Sequence, residues 1–274
     1  MKKILLCLAL FCPACLVYGQ VNKVQHITAH MPDAAEIFKL FNQSFGVPAV
    51  YDYQSFGSFS SGGLWLGNVT FETVGANGDD RDSAFFRGIA LEPAAHTNAV
   101  DSLLDKIHIN HSAPQISYWN YQGSKQKFYT VTDLTDLCAG TRRVFICDYE
   151  QRDFINGFSL KADSAFNAAQ GGSLGLLGVK AVVIQTTNLA KQVALWKTIP
   201  GIKVKDAYRF GFETGPDVLV EPGPQDQIKE IVLKVRSSAK AAAFLAKENY
   251  LKKEGNTLMI DPGKLHGLRI ILEE

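Results

Sequence analysis

The sequence predicts an α+β protein made of four βαβββ modules that form two tandem cupped barrels. Two observations carry this expectation. The order strand, helix, three strands recurs along the chain, with capping residues before the helices and Gly or Pro after them. The composition is that of an ordinary globular protein: 274 residues, 46% hydrophobic and 20% charged, enough apolar surface for one large domain or two small ones. Two modules side by side give one curved eight-stranded sheet, with the apolar stripes of its helices buried against the outer face.

In the first module, Val24–Thr28 is the opening strand and Asp33 the cap. Ala34–Phe45 has apolar residues at helical spacing and ends at Gly46. Strands follow at Ala49–Tyr51, Gly63–Trp65 and Val69–Glu72. The second module is fainter. Its strand is Phe85–Leu91, its helix Thr97–Ile107, and its later strands Lys127–Thr132 and Arg143–Tyr149, with an insertion around His111–Gln126. The third module has a strand at Val179–Ile184, cap Asn188, a helix at Leu189–Thr198, and strands in Lys203–Phe212 and Val218–Glu221. The fourth has Glu230–Val235, cap Ser237, helix Ala239–Lys247, and strands Leu258–Ile260 and Leu268–Leu272. An Ala/Gly/Ser-rich stretch, Ala162–Gly178, reads as a linker and divides the chain into domains 20–165 and 175–274.

The first nineteen residues stand apart. Lys2 and Lys3 precede an apolar run from Ile4 to Leu16, and Val17 and Gly19 are small residues at the −3 and −1 positions. This predicts a signal peptide over 1–19 and an exported chain, periplasmic or secreted. The run is short for a membrane span, which takes about 20 residues, so the mature form is expected to have none. Neither Cys12 nor Cys15 has the preceding Leu that a lipoprotein signal needs. Loss of Lys2 and Lys3 takes the net charge from +1 to −1 (+1 − 2). With 28 basic and 27 acidic residues and no basic cluster, nucleic acid is excluded as a partner.

Cleavage also removes Cys7, Cys12 and Cys15, leaving Cys138 and Cys147. In an exported chain these two form either a disulfide or two separate buried thiols. There is no CxxC pair for zinc, no GxSxG elbow, and no glycine-rich phosphate loop.

His26-Ile27, Asp33-Ala34-Ala35, Phe45-Gly46-Val47-Pro48 and the run Gly62–Glu72 resemble a module of the vicinal oxygen chelate (glyoxalase/bleomycin-resistance/dioxygenase) superfamily, and the module order extends the resemblance across the mature chain. The resemblance implies glyoxalase-like cups. In an enzyme of this kind the cup holds one divalent metal ion, here Fe, Zn, Mn or Ni, on ligands from the first and last strands of paired modules. The chemistry implied is that of a metal-dependent lyase, isomerase or dioxygenase, with the metal polarising vicinal oxygens.

Counting seven residues back from the Asp33 cap places His26 at one ligand position, and the resemblance of Gly62–Glu72 to the family's closing strand implies Glu72 at a second, with Glu72 also the catalytic candidate. Opposite them the second module offers Ala90 or Gly88, and Cys147, Tyr149 or Glu150; the third offers Ala181 and Glu221, and the fourth Glu230 and Leu272. His108 and His111 in the insertion are further candidates for a third ligand. Against the metal stands the simpler reading that His26 is hydrogen-bonded to Glu72. Glu221 and Glu230 are either an acid–base pair or two exposed glutamates. Trp65, Trp119 and Tyr149 are candidate substrate-binding residues. Trp65 is alternatively core, and Tyr118–Tyr121 a lid or an interface. A non-catalytic cup that binds or sequesters a small molecule, lined by aromatics and free of metal, is the rival to the enzyme. Cups of this kind form within one chain or across a homodimer.

Overall fold

The structure is a computed structural model and describes residues 21–76, 82–94, 96–121 and 123–274. The expected signal peptide, 1–19, lies outside these residues. In the first quarter, β1 (Val21–His30) leads into α1 (Ala34–Lys39), which continues as one wider turn over Leu40–Ser44. β2 (Ala49–Ser55), β3 (Phe59–Trp65) and β4 (Thr70–Ala76) follow. The second has β5 (Phe85–Pro93), α2 (Thr97–Lys106), β6 (Gln115–Tyr121), β7 (Ser124–Asp133) and β8 (Arg143–Tyr149).

A long helix, α3 (Arg152–Ala168), then precedes β9 (Leu176–Thr186), α4 (Leu189–Thr198), β10 (Lys203–Val204), β11 (Arg209–Gly211) and β12 (Asp217–Pro222). The last quarter is β13 (Gln227–Val235), α5 (Ser238–Lys247), β14 (Leu251–Glu254), β15 (Thr257–Ile260) and β16 (Arg269–Glu273). Asn188 and Ser237 cap α4 and α5 as expected, accepting the amides of Lys191 and Lys240.

The result is a mixed α+β fold with one large, mostly antiparallel sheet and few helices. In each quarter the first and last strands pair in parallel: β1 with β4, β5 with β8, β9 with β12, and β13 with β16. Antiparallel pairings of β1 with β5 and β9 with β13 join the quarters two by two. A short contact, Ile228 against Phe86, links β13 to β5 and makes the sheet continuous.

Strand alternation sorts the side chains. Ile27, Phe71, Ile89, Leu91, Val144 and Ile146 face the helices and belong to one apolar core shared by both halves. Ala90, Val131, Phe145 and Cys147 face the other way and form a separate small cluster, as a side-chain period of two requires.

The halves meet in a polar seam. Arg142, fully buried, donates from Nε to the Leu137 carbonyl at 2.8 Å and from Nη1 to the Gln185 carbonyl at 3.1 Å, with Asp226 at 3.7 Å. Gly140 packs so closely that a Cβ there would lie 2.1 Å from the Asp226 carbonyl oxygen. Asn68 bridges the seam again, donating to the Val179 carbonyl and accepting its amide.

One expectation is corrected, and the structure adds detail to two others. The Ala162–Gly178 stretch is not a linker throughout: it is helical to Ala168, because Ala162 and Phe166 continue an inward apolar stripe and are buried. Tyr118, Trp119 and Asn120 lie on strand β6, since the insertion folds as a β6–β7 hairpin. Cys138 and Cys147 are separate thiols. The Cys138 thiol donates to the Val144 carbonyl, while Cys147, three residues further along the strand, faces the other side of the sheet.

Candidate functional site

His26 and Glu72 come together on the cup side of the first half. Their strands run parallel, with Thr28 beside Glu72 in the register, which brings His26 Nε2 to 3.8 Å from Glu72 Oε2. Their side chains keep 13% and 20% of their surface accessible, so both retain some contact with solvent.

A chain of hydrogen bonds fixes both groups. Lys23 pairs with Glu92 at 3.2 Å, and Glu92 accepts Gln25 Nε2 at 3.0 Å. That bond orients the Gln25 amide, so its oxygen faces His26 Nδ1 at 3.0 Å. Nδ1 therefore carries the ring proton, an assignment made from its partner, and the Nε2 lone pair faces Glu72. Burial lowers the His26 pKa, opposed in part by Glu72 and reinforced by Arg143, which also favours the neutral ring.

On the other side Tyr51 donates to Glu72 Oε1 at 2.7 Å and contacts Ser61 Oγ at 3.2 Å. Tyr51 on β2 reaches Glu72 on β4 by crossing β3 at Gly63, which lies between them in the register. A Cβ at Gly63 would sit 2.4 Å from the Tyr51 ring. Only glycine leaves this passage open.

The opposite wall comes from the second quarter. Tyr129 and Tyr149 pack edge to face at 5.6 Å, and both feel the charge of Glu72. Burial first, and then neighbouring charges including Glu72, hold both phenols above the usual tyrosine range. The same causes push the Cys147 thiol far up, so it is protonated. Phe145 meets the His26 ring edge-on at 5.7 Å. Arg143, a cation on this wall, lies over the Phe145 ring and is taken by both carboxylate oxygens of Asp133. α3 contacts β8 on one wall and β2 and β3 on the other, and so runs across the open side of the cup.

Of the residues expected from sequence, His26, Glu72 and Tyr149 lie in the cup. Trp65 is partly buried, and its indole N–H donates to Asp163 of α3 at 2.9 Å. Trp119 stacks on Phe128 at 4.6 Å and approaches Phe154 of α3, forming a rim between hairpin and helix. His111 is held by Asp105 and the Ser112 carbonyl, and Glu150 pairs with Lys127. Gln25, Tyr51 and Tyr129 were not singled out from sequence. The Gly62-Gly63 pair and the alternation Tyr129/Val131 are the signals that point to them.

The register also corrects the positions in the second half. Ala181 lies beside Val232, as His26 lies beside Ala90. The counterpart of Glu72 is therefore Leu219, and that of Cys147 is Glu273. Leu272 faces the shared core. Glu221 pairs with Lys229 at 2.8 Å and Glu230 with Arg269 at 3.1 Å, so neither is a free carboxylate. The floor here is aliphatic: Ala181, Val183, Val232, Met259 and Ile271.

The metal set implied by the resemblance is incomplete. His26 and Glu72 supply two donors, Ala90 supplies none, and Cys147 is buried in a small cluster with Ala90, Val131 and Phe145. Among the described residues no group of three or more His, Cys, Asp or Glu could hold an ion. These residues do not fit a resident divalent ion held by four protein ligands.

No protein-family model matches the sequence, and no curated protein does. Solved structures do. A hypothetical protein from Staphylococcus aureus is 10% identical with a TM-score of 0.61, covering 93% of this chain and 99% of that one. Homoprotocatechuate 2,3-dioxygenase from Arthrobacter globiformis is 10% identical with a TM-score of 0.56, over 94% and 80% of the two chains. The 2,3-dioxygenase LapB from Pseudomonas sp. KL28 is 8% identical with a TM-score of 0.55, over 93% and 92%. At such identities the likeness is one of fold. The chain has the vicinal oxygen chelate fold that its sequence resembles.

Proposed function

We propose that the chain is an exported, glyoxalase-like protein whose first cup binds a small molecule without a resident metal ion. In this reading residues 1–19 are a cleaved signal peptide. The four modules form two tandem cups in domains 20–165 and 175–274, and only the first carries a site. His26 and Glu72 anchor the ligand, and Tyr149 and Tyr129 line it. Trp65 and Trp119 hold α3 and the β6–β7 hairpin at the rim rather than touching the ligand. The observation that carries the reading is the His26/Glu72 pair: two fixed acceptors 3.8 Å apart in accessible space, with aromatic walls and too few donors for a metal centre. Apolar walls with a few placed polar groups are the usual form of a small-molecule site.

The dioxygenases with the same fold make metal-assisted chemistry the reading to beat. The decisive experiment measures metal content and ligand-induced thermal shifts on residues 20–274, beside a His26→Ala/Glu72→Ala variant. Binding raises the melting temperature through mass action, so the expected result is stabilisation by members of a small-molecule panel, lost in the variant, with substoichiometric metal in both. Near-stoichiometric Fe, Zn, Mn or Ni in the wild type, lost in the variant, would replace this reading with the metalloenzyme.

A further inference from the structure

We propose that the ligand of the first cup is an organic amine, bound as its ammonium ion between His26 Nε2 and Glu72 Oε2. The inference rests on the small-molecule reading of that cup and names its chemical class.

The argument begins with hydrogen-bond bookkeeping. Glu92 fixes the Gln25 amide, and Gln25 takes the His26 Nδ1 proton. The imidazole therefore presents a lone pair at Nε2. Glu72 Oε2 presents another, 3.8 Å away. Two acceptors facing one gap need a donor between them. Tyr51 is already committed to the other oxygen, Oε1. A ligand with at least two N–H groups satisfies both acceptors, and an ammonium has three donors and no acceptor.

Charge points the same way. A ligand that covers Glu72 withdraws its carboxylate from water, and a covered carboxylate requires a counter-charge. Arg143, a cation on the facing wall, is already bound at both oxygens of Asp133. Lys23 is bound to Glu92, behind Gln25. The positive charge that Glu72 lacks is therefore left for the ligand to bring. The remaining walls, Tyr129, Tyr149 and Phe145, are aromatic, and such rings attract an ammonium and pack against its organic body. An anionic ligand would be repelled by Glu72, and Arg143 nearby is already neutralised by Asp133.

The test uses residues 20–274 freed of metal by chelation and dialysis. Calorimetry at pH 7.5 compares ethylamine, benzylamine and phenethylamine with the matching alcohols and carboxylates; the amines are protonated there. At least one amine is expected to bind tenfold or more tighter than its alcohol, and its carboxylate not measurably. Glu72→Gln keeps an acceptor for Tyr51 but removes the charge, and should abolish that tenfold preference. If Glu72→Gln does not fold, Gln25→Leu, which frees the His26 tautomer, should reduce the preference for the amine over its alcohol at least threefold.

An amine that binds no better than its alcohol would overturn the inference, as would equal amine binding by wild type and a folded Glu72→Gln. If other panel members shift the melting temperature while amines do not, the cup still binds small molecules and only the ammonium class falls. If no compound in any class shifts it, both readings fall together. Stoichiometric metal uptake without amine binding overturns both in favour of a metal site.

Discussion

The two halves share one strand plan but differ in what they place on the same sheet face. The first sets His26, Glu72, Tyr129 and Tyr149 around accessible space. The second sets Ala181, Leu219, Val232 and Met259 at or beside the corresponding positions. Ion pairs fringe it: Glu221–Lys229, Glu230–Arg269 and Lys180–Glu273. The backbone arrangement therefore does not make a site. A site appears where polar side chains are held apart by a second layer of bonds, and it disappears where aliphatic side chains close on one another.

The sharpest way to break the comparison is at the seam. Arg142→Leu strands the Leu137 and Gln185 carbonyls and removes a cation from beside Asp226. Stability should fall by about 3 kcal/mol in denaturant melts. Two separate transitions instead of one would show that the halves fold independently.

A similar loss should follow Met259→Ala. This residue is wholly buried in the second floor, so about 2–4 kcal/mol goes with the cavity, while ligand binding in the first cup stays unchanged. The mirror experiment is Gly63→Ala. The added methyl displaces the Tyr51 ring and breaks its bond to Glu72, which should weaken ligand binding about tenfold while costing about 1 kcal/mol of stability.

A pH titration separates the halves more finely. The His26 pKa is lowered in the folded state, so the unfolded chain binds the proton first. Stability from this group is full above the unfolded value, about 6.5, and is lost as pH falls toward the lower folded value. His26→Gln should flatten the wild-type decline between pH 7.5 and 5.5, read as melting temperature against pH. The smallest effect concerns α3. Gly157 is exposed within the helix, and a Cβ there meets nothing within 4 Å. Gly157→Ala should add about 0.5–1 kcal/mol.

Much of this arrangement was legible in the sequence because the modules announce themselves locally. The Asn188 and Ser237 caps, the helix of the third module and the alternation around Val144–Cys147 are nearest-neighbour signals. His26 was legible because a fixed count from a cap lands on a polar residue in an apolar strand, and Glu72 because it closes a run, Gly62–Glu72, that resembles the family's last strand. What was not legible depended on register. Glu221 and Leu219 are two residues apart and share a face, so only strand pairing tells which is the counterpart of Glu72. Tyr51 looked like an ordinary strand tyrosine, because its role depends on a glycine in the strand between it and its target. α3 was masked by small residues: Ala162 and Ala165 read as a linker until Phe166 finds Gly67, whose Cβ position lies 2.9 Å from the Phe166 ring.

That helix has a consequence for timing. Its 17 residues span about 25 Å at 1.5 Å per residue, and it touches β8 at one side and β2 and β3 at the other. Trp65–Asp163 ties it to one wall, and the Arg152–Asp148 pair ties its first turn to the other. A molecule entering or leaving the cup must pass beneath or around it. Residence time would then be governed by how often one of these two tethers lets go, as well as by the strength of the contacts inside.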